Sequence, residues 1–179
     1  AQSTAAGPRW TGRVELIPSA LDWPLRKRKP QRIFVNSMSD LFHEKLSNEA
    51  IAAVFGVMAL AESHTFQVLT KRPERMREWF RWIESNPLFA GKSRAKAERL
   101  ETGPAHACIV MLSALGPKEL NSPLFTAHMV AGMVPGPETK IRKNWPLPNV
   151  WLGVSVENQA TADERIPLLL QTPAAKRFV

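Results

Sequence analysis

The run Arg32-Ile33-Phe34-Val35-Asn36-Ser37-Met38-Ser39-Asp40-Leu41-Phe42-His43-Glu44 (RIFVNSMSDLFHE) decides how this chain is read. Ile33 to Val35 is apolar and fit for a buried strand, and a polar patch follows it with no hairpin signal. Beyond the patch, Ser47 or Asn48 can cap a helix, with Glu49 in its first turn. Ile51, Val54, Phe55, Met58 and Ala59 then recur at helical spacing, giving one apolar face. A strand has led into a helix, and the polar patch lies at the junction.

The same order repeats downstream. In HTFQVLTKRPERM, Phe66 to Leu69 reads as a short strand and Pro73 suits the first position of a helix, whose apolar face is Met76, Trp79, Phe80 and Ile83. In PLPNVWLGVSVENQATADERIPLLLQTPAAKRFV, Val150 to Val156 is almost continuously apolar, as in a strand buried on both faces. Thr161, Asp163 and Glu164 open a helix that Pro167 distorts, and Lys176 to Val179 begins a fourth strand. Strands alternating with helices predict an α/β fold with parallel strands in sequence order and helices on the outer face. The expected core is Phe34, Val35, Ile51, Phe55, Met58, Phe66, Val68, Leu69, Met76, Phe80, Val150, Leu152 and Val154. Residues 84–145 break the pattern and read as an insertion of irregular and helical character within a single domain, 1–179.

Composition narrows the function classes. The net charge is +8, and much of the excess sits in LRKRKPQR, Leu25 to Arg32. Such a run, Arg26 to Arg32, is a solvated face or a nucleic-acid contact. Aromatic residues are not interleaved with it along the chain, as they would be in a single-strand stacking platform. Cys108 is the one cysteine, which excludes an internal disulfide framework and a cysteine-based metal site of usual spacing, and fits a reducing compartment. No apolar run is long enough to span a bilayer, so no membrane partner is expected.

In parallel α/β folds, ligands bind beyond the carboxyl ends of the strands. Three such ends are polar here and supply the candidate site: Asn36, Ser37 and Asp40; Lys71 and Arg72; Ser155, Glu157 and Asn158. Each has a plainer reading as a turn or capping residue. Lys71 and Arg72 resist it, because they precede Pro73 at the positive end of a helix, where cations are disfavoured by about 0.3–1 kcal/mol each. An anion compensates them, either a carboxylate such as Asp40 or Glu157 or a bound ligand. A small polar ligand suits the set, the Lys-Arg pair taking its carboxylate or phosphate.

The three quoted blocks closely resemble the phage gene-product 37/68 family of bacteriophages and bacterial genomes, over about Pro24 to Arg81 and Trp145 to Val179. The resemblance implies part of a (β/α) barrel of radical S-adenosylmethionine type, located in the cytoplasm of a bacterial host or prophage-bearing cell. It also implies a [4Fe–4S] cluster and S-adenosylmethionine, the cluster held by a cysteine motif ahead of the first block. The sequence departs from the family there, since those cysteines are absent. The expectation is therefore a piece of a longer protein, lacking N- and C-terminal parts of the domain and unable to hold the cluster itself. The alternative is a non-catalytic phage protein that contacts nucleic acid through its basic run.

Overall fold

The computed structural model describes residues 2–4, 7–9, 13–85, 108, 112 and 145–179. The expected insertion, 84–145, lies outside the described residues except for its two ends and Cys108 and Leu112, both of which are buried. Near the N-terminus, β1 (Gln2–Thr4) and β2 (Gly7–Arg9) form an antiparallel pair that the sequence reading missed. A short helix α1 (Pro18–Leu21) and a 3₁₀ turn at Pro24–Arg26 lead into the main sheet.

That sheet has four strands, β3 (Arg32–Val35), β4 (Thr65–Thr70), β5 (Val150–Val154) and β6 (Lys176–Phe178). They lie side by side in sequence order and every pairing is parallel, as expected. The fold is thus mixed α/β with a parallel four-stranded sheet. Helix α2 (Asn48–Leu60) follows β3, α3 (Pro73–Ser85) follows β4 and α4 (Gln159–Leu170) lies between β5 and β6.

The register explains which side chains meet. Ile33, Phe66 and Val150 form one row and Val35, Val68 and Leu152 the next, and both rows pack against the helices. Ser47 caps α2, its side chain accepting from the Ala50 amide at 3.2 Å. Trp79 of α3 is fully buried, stacked on Phe55 at 4.4 Å and edge-on to Phe80 at 5.1 Å. Its indole N–H donates to the Asn48 carbonyl at 3.0 Å, fixing α3 against the start of α2.

Three of the expected core residues are not buried as foreseen. Phe34 is 46% exposed, and Val35 and Leu69 are only half-buried. β3 is an edge strand, and side chains alternate between the two faces of a sheet. Phe34, Leu69 and Trp151 therefore point away from the helices, to a face that no described helix covers. Trp151 corrects the reading of β5 as buried on both faces; the strand also ends at Val154, two residues early. In α4 the cap is Asn158, not Thr161. The two residues form a capping box, Asn158 accepting from the Thr161 amide while the Thr161 side chain accepts from the Asn158 amide.

Gly153 faces Phe178 on the side that no described helix covers, and a Cβ added there would lie 2.6 Å from the Phe178 ring. Gly153→Ala should therefore cost about 1–3 kcal/mol by overpacking. In urea denaturation, adding Phe178→Ala to Gly153→Ala should remove most of the extra penalty. Additive losses in the double variant would show that the ring is not the obstacle.

Candidate functional site

The polar residues after β3, β4 and β5 gather at the carboxyl edge of the sheet around two linked nodes. The first is Asp40. Asn36 leaves β3 in the left-handed region, at φ 59°, a conformation that Asn tolerates better than most residues, and its carbonyl accepts from the Ser39 amide at 3.0 Å. That turn aims Asp40 at the end of β4. Its carboxylate accepts from the Phe42 amide at 2.9 Å, the Thr70 hydroxyl at 2.8 Å, the Lys71 amide at 3.1 Å and the Arg72 guanidinium at 3.0 Å. The Thr70 oxygen in turn accepts from the Arg72 amide at 2.9 Å. Arg72 reaches a second carboxylate, Glu44, at 3.0 Å.

The second node is Glu157. It pairs with Lys71 on one side and with Arg165 at 3.1 Å on the other, and it accepts from the Ser155 hydroxyl at 3.2 Å. Arg165 also donates to the Ser155 carbonyl at 2.6 Å, anchoring α4 to the end of β5. Adjacent residues, Lys71 and Arg72, thus join the two nodes. The anions that compensate them at the start of α3 are Asp40, Glu44 and Glu157, so the ion-pair reading holds for the chain as it stands.

Of the eight expected residues, Asp40, Lys71, Arg72, Ser155 and Glu157 come together. Asn36 shapes the turn that presents Asp40. Ser37 lies exposed in that turn and takes no part in these bonds. Asn158 stands next to Glu157, but its side chain is committed to the helix cap. Thr70, Glu44 and Arg165 were missed. Thr70 could have been found as the residue where β4 turns from apolar to charged. Arg165 acts from eight residues beyond Glu157, and no local pattern announces that. Among the described residues, no three His, Cys, Asp or Glu side chains are grouped to hold a metal ion.

Electrostatics follow the pairing. The hydrogen bond from Lys71, with Ser155 and Arg165 adding to it, holds the Glu157 carboxyl below its usual 4.5. Glu44 is also lowered, chiefly by its own backbone N–H and then by His43 and Arg72. A carboxylate lowered on folding stabilises the fold above its ordinary pKa, and that contribution is lost as the pH falls through the lowered value. In an NMR titration, Glu157 should protonate below pH 4.5, and Lys71→Ala should move its midpoint upward. An unmoved midpoint would dissolve the pairing. Asp40→Ala strips four donors of their acceptor and should cost about 1–3 kcal/mol in urea denaturation.

No helix among the described residues is long and apolar enough to cross a membrane. No curated protein and no solved structure matches the chain. The model of a family described as a protein of unknown function, DUF5131, matches residues 1–179. The match runs the whole length of the chain, which therefore belongs to the DUF5131 family.

Proposed function

We propose that the chain is part of a (β/α) barrel of radical S-adenosylmethionine type, and that the carboxyl rim of its sheet binds a small polar ligand. One observation carries this reading. Lys71 and Arg72 follow a central strand directly and are ringed by carboxylates and a hydroxyl from the ends of both neighbouring strands. That rim is the usual ligand position of parallel α/β sheets.

Lys71 and Glu157 are both well exposed, and a surface pair screened by solvent adds little to the stability of the fold. A ligand can part them at little cost. Its carboxylate would take Lys71, and its amine or ribose hydroxyls would take Glu157. Asp40 and Arg72, held by more bonds, form the fixed floor. S-adenosylmethionine has these groups, and the resemblance of the three sequence blocks supports it as the ligand.

The iron–sulfur cluster is a different matter. It needs three thiolates, and these 179 residues contain only Cys108. That thiol is buried, and burial pushes its pKa up, away from the thiolate form. The residues of this chain do not fit the cluster.

Equilibrium dialysis with labelled S-adenosylmethionine tests the rim. Binding should weaken at least tenfold in Lys71→Ala and in Glu157→Ala, with both variants keeping the parent circular dichroism spectrum. Unchanged binding in both would overturn the assignment. Loss of fold in both would return these residues to a purely structural role.

A further inference from the structure

Gly153 makes room for an aromatic ring directly beneath the charged rim. The position a Gly153 Cβ would take lies 2.6, 2.6 and 2.8 Å from three successive atoms of the Phe178 ring. A point beyond the ring's edge, in its plane, would be far nearer to one or two of these atoms than to the rest. The point therefore lies over the ring's face, and the ring rests flat on the β5 backbone. Phe178 is half-buried, as a ring with one face against the sheet must be. Its other face turns to the side of the sheet that no described helix covers.

The register sets this ring against the rim. Leu69, Gly153 and Phe178 stand in one row across β4, β5 and β6. Lys71 and Ser155 are the next residues along β4 and β5 on that same face, because side chains alternate along a strand. Lys71 pairs with Glu157, and the Ser155 hydroxyl donates to it at 3.2 Å. The Phe178 ring is thus a flat apolar step two residues, or roughly 7 Å, below the charged pair. Half-buried Leu69 flanks the step on β4. In a closed barrel this face is the interior, so step and rim open into one space.

We propose, resting on the reading of that rim as a ligand site, that Phe178 sets its specificity by stacking a planar ring of the ligand. The ligand class is then a flat aromatic group joined to a charged or hydroxylated arm. The arm meets Lys71 and Glu157 while the ring reaches down to Phe178. Aromatic rings favour offset stacking, and a face lying parallel to the sheet admits a flat group better than a bulky saturated one. A nucleoside base and the ring of an aromatic amino acid share this chemistry. Gly153 is the positioning residue. Glycine inside a strand weakens it and often marks close approach of a ligand or another backbone. Plain space-filling would favour an apolar side chain at 153, whereas glycine lowers the ring and deepens the step. Carbon atoms in contact sit about 3.5 Å apart, so Gly153→Ala would lift the ring by about 1 Å.

Equilibrium dialysis of the chain with S-adenosylmethionine, adenosine, L-tryptophan and L-methionine tests this. At least one ring-bearing probe should bind, and Phe178→Ala should weaken it about tenfold, as expected for the loss of one base–aromatic stack. Phe178→Tyr should keep the affinity. Phe178→Leu, which retains apolar bulk without a flat ring, should not. L-Methionine has no ring, so its binding should respond to Lys71→Ala and not to Phe178→Ala. Tighter binding of adenosine than of L-tryptophan would name a nucleoside, and the reverse an aromatic amino acid. A ring-bearing probe held equally by the parent and by Phe178→Ala, with circular dichroism intact, would overturn the proposal. So would parent affinity in Phe178→Leu, and the Tyr and Leu variants decide alone if the Ala variant does not fold. If such a probe still responds to Lys71→Ala and Glu157→Ala, the step falls and the rim stands. If no probe binds, both fall together.

Discussion

The Asp40 carboxylate is the constraint on which the rest of the carboxyl edge depends. Two adjacent cations at the start of a helix, Lys71 and Arg72, oppose the helix dipole. Asp40 answers both the charge and the geometry, because it bonds the Arg72 side chain and the Lys71 amide together. In doing so it ties the loop after β3 to the junction between β4 and α3. Thr70 completes the knot by donating to Asp40 and accepting from the Arg72 amide. The left-handed turn at Asn36 is then required, since the chain must reverse quickly enough for Asp40 to arrive there. The polar ending of β3 is how two successive strand–helix units are locked in register.

With that edge fixed, the hydrophobic packing follows. α2 and α3 are held over the same face of the sheet, and Phe55, Trp79 and Phe80 interlock between them. The Trp79–Asn48 hydrogen bond adds a directional tie that stacking alone would not supply. Asn149 provides a similar tie from the other side, donating to the Met58 carbonyl at 2.9 Å just before β5 begins. Polar side chains thus set the positions of elements whose stability comes from apolar burial.

The sequence disclosed the elements well because their signals are local: the Ser47 cap, the Pro73 start and the apolar spacing of α2 and α3. It disclosed the strand order for the same reason, since alternating strands and helices leave few topologies. It was less informative on burial, because hydrophobicity alone does not tell an edge strand from a central one. Phe34 and Phe66 look alike in sequence, but only Phe66 has neighbouring strands on both sides. The candidate site was legible as a set of strand ends, and its internal pairing was only partly so. Glu157 was recognised, whereas Arg165, which anchors it, comes from the next helix and depends on the fold for its proximity.

The order of the strands also has a consequence for how the chain assembles. β3, α2, β4 and α3 are joined by short connections, so residues 32–85 can associate through contacts close in sequence. β5, α4 and β6 form a second local group. The pairing of β4 with β5 brings together Thr70 and Val154, separated by a long stretch of chain. Closing such a loop costs entropy that grows only with the logarithm of its length, so the equilibrium penalty is modest. Its kinetic effect is larger, because distant contacts form later than near ones. The centre of the finished sheet is therefore the last seam to close, and until it does the apolar edges of β4 and β5 are both unpaired.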